Sequence, residues 1–233
     1  MKSLHKTFDI LEYVVLQNGE RVTPTQVAEA LSINLATCTR IMGELVKRGY
    51  LVQISRKEGY MPGPMITALG TRHNCYERLA SAARRPIEKL SEQFGCQVNL
   101  AVMHAGRRIM LCYHLNPAGM SPWKQFSFSD HWETATGRLL IASLDVPEAR
   151  KLTSVVGIHP FPRSELERIR QRGYVHLQQN RLTVIGRLIP LSGYPPAAFG
   201  FGVPPERADE ALKVSDKAAA AIAEILNPPH QAY

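Results

Sequence analysis

The stretch Thr23–Leu51, TPTQVAEALSINLATCTRIMGELVKRGYL, carries the pattern that decides the fold of the amino-terminal part. Thr23 can cap a helix, Pro24 suits the first turn of that helix, and Gln26 completes a capping box by reaching back to the cap amide. Ser32–Leu35 is long enough only for a tight turn, after which apolar residues again recur at helical spacing. Two short helices joined by a few residues form a helix-turn-helix.

The segments on either side predict a winged domain. Ahead of the two helices, apolar residues at i, i+4, i+7 and i+11 predict an amphipathic helix over residues 3–17. These residues are Leu4, Phe8, Leu11 and Val15. After the two helices, Tyr50–Ile54 and Tyr60–Met61 predict two short strands around a charged turn. We therefore predict a winged helix-turn-helix domain over residues 1–63.

The rest of the chain predicts a linker region and a second domain. Residues 64–96 are predicted to hold a linker helix over 65–80 and a helix over 86–94 that begins or kinks near Pro86. From residue 97 to 233, strands and helices are mixed without strict alternation, which indicates an α+β fold around an antiparallel sheet. The predicted strands are 97–103, 108–114, 174–177, 182–189 and 198–203, and the predicted helices are 135–144, 147–156, 163–172 and 205–226.

Composition narrows the class of protein but does not decide it. The 233 residues include 28 Lys and Arg against 20 Asp and Glu, a formal net charge of +8. This excess favours an anionic partner, yet it is spread along the chain, so a prediction of DNA binding depends on the helix pattern. The four cysteines stand far apart with no C-x-x-C pair, which is typical of a reducing compartment. The sequence has no signal peptide pattern and no run of 18 apolar residues. We therefore predict a cytoplasmic protein that does not associate with a membrane and binds no metal or cofactor.

The helix from Leu35 has the two faces that a DNA-reading helix needs. One face is apolar, and short polar or basic side chains occupy the first turns of the other, which suits base edges in the major groove. Arg40 is the predicted guanine contact, and Thr37 and Thr39 can reach a thymine methyl group or a phosphate. The residues predicted to contact DNA are Thr25, Gln26, Asn34, Ala36, Thr37, Thr39, Arg40, Arg56 and Lys57.

Several segments resemble, in the same order, the IclR-type bacterial transcriptional regulators. They are SLHKTFDILEYV, the helix-turn-helix stretch quoted above, GYMPGPMITALG, ETATGRLLIASL and ELERIRQRGYVHL. The resemblance implies a GAF-like α/β effector-binding domain after the linker helix. It also implies a homodimer or homotetramer that binds a palindromic operator in double-stranded DNA under the control of a small-molecule effector, in a catabolic pathway.

The effector pocket is placed by this resemblance. It implies that Ala135, Thr136 and Gly137 line the pocket, with Arg138 in place of the usual lysine of the family. Relatives with small carboxylate effectors commonly carry an acidic residue and a cysteine after the position of Tyr174, and this chain has neither there. The resemblance therefore does not imply a small 2-oxoacid as the effector.

Other candidate ligand-binding residues follow from the sequence itself. An aromatic-rich segment precedes Ala135; Phe126 and Phe128 suit an edge strand, whereas Trp123 and Trp132 are candidates for the wall of a pocket that takes an aromatic effector. Arg187 alternates with apolar neighbours in a predicted strand. Its side chain faces either solvent or the pocket, where its guanidinium would bind a carboxylate.

Two other classes of function stay open at this level. A helix-turn-helix domain can serve only protein–protein contacts, with the second domain as a dimerisation platform. An enzyme is disfavoured, because the eight histidines form no H-E-x-x-H motif and the chain has neither a glycine-rich phosphate loop nor a G-x-S-x-G motif, so no catalytic residue is assigned. Arg163–Arg172 is either an auxiliary nucleic-acid patch or a solvated helix that begins with a Ser164–Glu167 capping box.

Overall fold

A computed structural model describes residues 2–17, 19–55, 57–70, 74–114 and 126–227 of the chain. The chain forms two compact units. The first contains the described residues up to 70 together with Phe126, and the second contains residues 74–114 and 127–227. The finer division at residues 63 and 96 stays a prediction.

The first unit is a helix-turn-helix followed by a hairpin. Its elements are α1 (Lys2–Val15), α2 (Pro24–Ala30), α3 (Leu35–Lys47), β1 (Leu51–Ser55), β2 (Gly59–Pro62) and α4 (Pro64–Gly70). The predicted capping box is present, since the Thr23 hydroxyl accepts from the Gln26 amide N–H and the Gln26 side chain accepts from the Thr23 amide N–H. Strands β1 and β2 are antiparallel, and Val22 adds a bridge to Tyr60. The predicted helix-turn-helix and wing are confirmed.

The buried face of α1 differs from the predicted one. Ile10 and Val14 are fully buried in the core of this unit, whereas Leu4 is 60% exposed and Phe8 is 53% exposed. The stripe chosen from the sequence is therefore only partly right as the core-facing side of α1, because Leu11 packs against the core but Leu4 and Phe8 do not. Apolar residues occupy more than half of the circumference of this helix, so periodicity alone left its orientation undecided.

The second unit is built on one six-stranded sheet with helices on both faces. Its elements are α5 (Cys75–Phe94), β3 (Val98–His104), β4 (Arg107–His114), β5 (Ser127–Phe128), α6 (Ala135–Ser143), α7 (Val146–Val155), α8 (Arg163–Arg172), β6 (Tyr174–Gln179), β7 (Leu182–Leu188), β8 (Ala197–Val203), a 3-10 turn (Pro205–Arg207) and α9 (Ala208–Leu226). The strand order is β5-β4-β3-β8-β7-β6, and all the pairings are antiparallel. The predicted α+β fold is confirmed.

The two faces of this sheet are packed differently. Helices α5 and α9 cover one face, where large side chains such as Leu100, Ile185 and Phe199 form the main core. Helix α6 covers the other, which we call the α6 face. Because successive strand residues point to opposite sides, the α6 face carries the intervening residues. They include Asn99, Ala101, Arg108, Met110, Gly186, Ala198, Gly200 and Gly202.

Glycines on the α6 face let the helix lie directly on the strands. A Cβ atom at Gly186 would lie 2.8 Å from the Cβ atom of Ala135, and one at Gly200 would lie 2.9 Å from Cγ2 of Thr136. Both distances are shorter than real carbon contacts allow. The amino-terminal turn of α6 is thereby fixed against the centre of the sheet.

The predicted helices around Pro86 are wrong in their bounds. Helix α5 runs without interruption from Cys75 to Phe94, with Pro86 inside it. It begins at Asn74, whose side chain accepts from the N–H groups of Tyr76 and Glu77. This cap starts a new helix where a continuous one over residues 65–80 was expected.

Helix α8 also begins differently from the prediction. Its cap residue is Pro162, and no side chain bonds to the first amides, so the predicted Ser164–Glu167 capping box is wrong. Glu167 instead pairs with Arg163, with Nε and Oε1 2.8 Å apart on the exposed side of the helix.

Candidate DNA-binding and effector-binding sites

Helix α3 presents its first turns to solvent. Asn34 caps the helix, and its Oδ1 accepts from the N–H groups of Ala36 at 3.0 Å and Thr37 at 3.3 Å. The opposite side of the helix is buried in the core of the unit through Cys38, Ile41, Met42 and Leu45. Of the residues predicted to contact DNA on this helix, Asn34, Ala36, Thr39 and Arg40 are exposed and Thr37 is half-buried.

Arg40 lies on the side of α3 that borders α1. It lines a shallow groove with Ser3 and Thr7 of α1 and with Glu44. The carboxylate of Glu44 accepts a hydrogen bond from Lys47, which lowers its pKa, and the charge of Arg40 adds a smaller lowering effect. Arg40 is exposed and makes no side-chain hydrogen bond or ion pair within the described residues.

The remaining predicted DNA contacts lie on α2 and the wing. Thr25 and Gln26 are exposed in the first turn of α2, and Lys57 is exposed in the turn between β1 and β2. Arg56 lies outside the described residues.

The amino-terminal turn of α6 is buried against the sheet. Thr134 caps the helix, with its hydroxyl accepting from the N–H of Gly137 at 3.1 Å. Ala135, Thr136 and Gly137 are all buried. Gly137 has no room for a side chain, because a Cβ atom there would lie 2.1 Å from the carbonyl oxygen of His131.

The ring of the half-buried Trp132 contacts the guanidinium of a neighbouring arginine. The Arg138 guanidinium carbon lies 4.8 Å from the centre of the Trp132 ring, and Arg138 Nε donates to the Trp132 carbonyl oxygen. Arg138 also pairs with Glu165 of α8 at 3.0 Å. Trp123, the other predicted aromatic wall residue, lies outside the described residues.

Arg187 is buried on the opposite face of the sheet from α6. Its guanidinium donates to the Ser215 hydroxyl and the Leu212 carbonyl oxygen of α9 and pairs with Asp216 at 3.2 Å. Burial lowers the pKa of Arg187, and the charge of Asp216 opposes this shift. Both sequence-based alternatives for Arg187 are therefore wrong: the side chain faces α9, and it does not share a site with Thr136.

A polar cluster that the sequence analysis did not single out lies on the α6 face. Arg108 of β4 is 4% exposed, and its Nη2 lies 2.6 Å from Oδ1 of Asp130. Its Nη1 lies 3.5 Å from the Thr136 hydroxyl, at the start of α6, and 3.2 Å from Sδ of Met110. The ring of Phe128, in the edge strand β5, lies 4.9 Å from the guanidinium carbon. In the sequence, Arg108 alternates with Met110 and Cys112, and this pattern could have indicated that Arg108 shares one strand face with them. The adjacent Arg107 instead made the two arginines resemble the exposed end of a hairpin.

His131 borders this cluster. Its Nε2–H donates to the Gly106 carbonyl oxygen at 2.9 Å, while Nδ1 is buried without a partner. Burial lowers the pKa of His131, and the charge of Arg108 lowers it further. The imidazole is thus held in its neutral form at neutral pH.

Within the part of the chain that the structure describes, no group of three or more His, Cys, Asp or Glu side chains could hold a metal ion. None of the described helices is long and apolar enough to cross a membrane.

Residues 3–55 match the family model of the IclR helix-turn-helix domain. The amino-terminal part of the chain is an IclR-type helix-turn-helix domain. This match covers α1, the α2–α3 pair and β1, so α3 and its exposed face lie within the matched domain. No curated protein sequence matches the chain significantly.

Solved structures extend the likeness to nearly the whole length of the chain. An IclR homologue from Microbacterium hydrocarbonoxydans, complexed with 4-hydroxybenzoate, is 20% identical with a TM-score of 0.73, covering 96% of this chain and 98% of that chain. The Thermotoga maritima IclR is 22% identical with a TM-score of 0.65, covering 97% and 99%. An IclR transcriptional regulator from Alicyclobacillus acidocaldarius is 17% identical with a TM-score of 0.70, also covering 97% and 99%. At these identities the likeness establishes the fold of both units.

Proposed function

We propose that this regulator is a cytoplasmic homo-oligomer that binds a palindromic operator through α3 and is controlled by an aromatic carboxylate bound on the α6 face. Two copies of α3 related by a twofold axis would read two half-sites one helical turn apart. The protein acts by binding and not by catalysis.

The exposed amino-terminal face of α3 carries the DNA-binding part of the proposal. Arg40, Thr39 and Ala36 offer a bidentate donor, a hydroxyl and a methyl group on one solvent-facing surface. Thr25 and Lys57 lie on α2 and the wing, where side chains that hold phosphates are found in winged domains. Base reading is thereby assigned to α3, and positioning to the elements around it.

The effector part of the proposal is supported by the chemistry of the second unit. Ala135, Thr136 and Gly137 start a helix over a sheet face that carries both apolar residues and Arg108, and a helix amino terminus favours an anion. The relative from Microbacterium hydrocarbonoxydans was solved with 4-hydroxybenzoate, an aromatic carboxylate. An aromatic acid also suits the apolar and aromatic residues on this face, among them Met110 and Phe128.

Selection of bound genomic fragments, followed by gel shift with the recovered site, tests the DNA-binding part. Replacement of Arg40 by Ala should weaken operator binding by about 1 to 3 kcal/mol and relax the preference at one base pair of each half-site. Arg48→Ala is the matched control, because Arg48 is an exposed arginine at the far end of the same helix.

Two results would contradict this assignment. Equal operator affinity of the Arg40 variant and the wild type would indicate that Thr39 or Ala36, and not Arg40, contacts the bases. Failure to recover any preferred fragment would favour a helix-turn-helix used for protein contacts.

A further inference from the structure

We infer that Arg108 binds the carboxylate of the effector on the α6 face and so determines that the regulator responds to an acid. This inference rests on the proposed function, in which an effector occupies that face. It assigns the charge recognition to a side chain of β4 and not only to the amino-terminal turn of α6.

Arg108 is buried without using all of its donors. Only 4% of the residue is exposed, and Nε has no hydrogen-bond partner among the described residues. Nη2 is engaged by Asp130, whereas Nη1 has only the weak acceptor Met110 Sδ and a long contact to the Thr136 hydroxyl. A buried guanidinium with an unused N–H loses the hydration of that group without replacement. An oxygen ligand placed at Nε would restore it.

The ion pair with Asp130 does not complete the site. The Asp130 side chain is 38% exposed, against 5% for Arg108, so water already solvates one partner. The carboxylate of Asp130 accepts from one terminal nitrogen only, and a guanidinium can donate to two carboxylates on different edges. The Phe128 ring, stacked at 4.9 Å, fixes the plane of the guanidinium and keeps the remaining edge in place.

The surroundings of Arg108 define the rest of the ligand. Ala101 and Met110 leave the α6 face apolar beside the charge, so the body of the acid must be apolar. Asn99 Oδ1 is a second buried atom without a partner on this face, and it lies near Thr136, since both approach the position of a Cβ on Gly200, at 3.7 and 2.9 Å. A hydroxyl group on the ligand would satisfy it. The class of ligand is therefore a monocarboxylate on an aromatic body, with a hydroxyl as the favoured substituent.

Calorimetric titration of the full-length protein with 4-hydroxybenzoate, benzoate and their amides tests the inference. The wild type should bind each acid at least about tenfold more tightly than the amide of the same shape, because only the acid forms a charge-assisted bond. Arg108→Met should remove this preference for the acid while leaving amide binding within about threefold. A side chain with a merely structural role would weaken acid and amide together and preserve their ratio.

Two further variants keep the test decisive. Arg107→Met is the matched control, since Arg107 is the exposed neighbour on the opposite face of the strand and its removal should leave the preference unchanged. Arg108→Lys keeps the positive charge but not the planar set of N–H donors, and it should retain part of the preference for the acid over the amide. This variant replaces Arg108→Met in the test if Arg108→Met does not fold.

Absence of binding of both acids to the wild type, or an unchanged acid-to-amide ratio in a folded Arg108 variant, would overturn the inference. Operator binding measured without any acid separates this outcome from a failure of the proposed DNA-binding function. A protein that binds its operator but no aromatic acid contradicts the effector part of the proposed function together with the role of Arg108. A folded Arg108→Met variant that binds the acids with an unchanged acid-to-amide ratio contradicts the role of Arg108 alone.

Discussion

His131 shows how a single buried ring links the start of α6 to the β3–β4 turn. Its Nε2–H donates to the Gly106 carbonyl oxygen, and its other nitrogen is buried without a partner, close to the positive charge of Arg108. Protonation would place a second N–H where no acceptor is available. The neutral ring is therefore part of the folded state, and acid should oppose folding at this position.

We expect the free energy of unfolding to fall as the pH is lowered below about 6.5, the usual pKa of histidine. Burial lowers the folded-state pKa of His131, so the unfolded chain binds more protons in this window. The stabilisation is full above the unfolded pKa and is lost as the pH falls towards the folded one. Urea unfolding at a series of pH values measures this slope.

The variant His131→Gln can keep a donor for the Gly106 carbonyl oxygen and cannot titrate, so its slope between pH 5 and 7 should be smaller than that of the wild type. His104→Gln is the control, because His104 is an exposed histidine of the same hairpin. Equal slopes for the wild type and the His131 variant would show that other groups cause the acid sensitivity.

Individual side chains were the least predictable part of the candidate site. The alternation of Arg187 with apolar residues correctly indicated a strand, but it could not tell which helix covers each face, and the side chain binds α9. Arg107 and Arg108 are adjacent and chemically identical, yet only one is buried. Which of the two enters the protein depends on the helix that lies over β4, and this is a property of the tertiary structure.

At the scale of elements, the contact between α6 and the sheet depends on Gly186 and Gly200, whereas Gly202 on the same face does not lie against this helix. A Cβ atom at Gly186 would lie 2.8 Å from Cβ and 2.9 Å from the carbonyl carbon of Ala135, so backbone would have to move. At Gly202 the nearest atom would be Cδ1 of Leu182, at 3.3 Å, the end of a flexible side chain that is 42% exposed.

Gly186→Ala should therefore destabilise the second unit by about 1 to 3 kcal/mol, as overpacked cores do. Gly202→Ala, a substitution of the same kind on the neighbouring strand, should change stability by no more than about 1 kcal/mol. Urea denaturation followed by circular dichroism measures both. Equal effects of the two substitutions would mean that α6 can shift on the sheet at little cost.

Elements with strong local signals were predictable, and those decided by competing signals were not. The capping box at Thr23 and the apolar spacing in α3 correctly located the two helices of the helix-turn-helix. Around Pro86 the prediction went wrong, since a proline usually ends a helix, and α5 tolerates it because the helix is held by a long buried face that includes Leu79, Ile87 and Leu90. The cap at Asn74 was the missed signal.

For the whole molecule, the net charge does not by itself indicate which residues contact DNA. The charge of +8 is spread over the chain, so only basic residues that touch phosphates should affect the salt dependence of operator binding. Lys57 in the wing is the proposed phosphate contact, and a homodimer would carry two of them.

Lys57→Ala should make the slope of log affinity against log salt concentration shallower by about 0.9 for each wing that contacts a phosphate, or about 2 for a dimer. Lys213→Ala removes the same charge from the exposed side of α9 and should leave the slope unchanged. Gel shift across a salt series gives both slopes. A slope that responds equally to the two substitutions would argue for a diffuse electrostatic effect and against a wing contact.

The glycines under α6 also constrain how the ligand binding proposed for the α6 face can diverge. Because the first turn of α6 rests directly on Gly186 and Gly200, no larger residue can be introduced there without displacing the helix. If an effector binds on the α6 face, as proposed, a lineage that acquires a new effector is therefore expected to change side chains elsewhere on this face, above all on β3 and β4, which carry Asn99, Arg108 and Met110. Selection for new ligands should leave its traces on those two strands, while the centre of the sheet stays invariant in size.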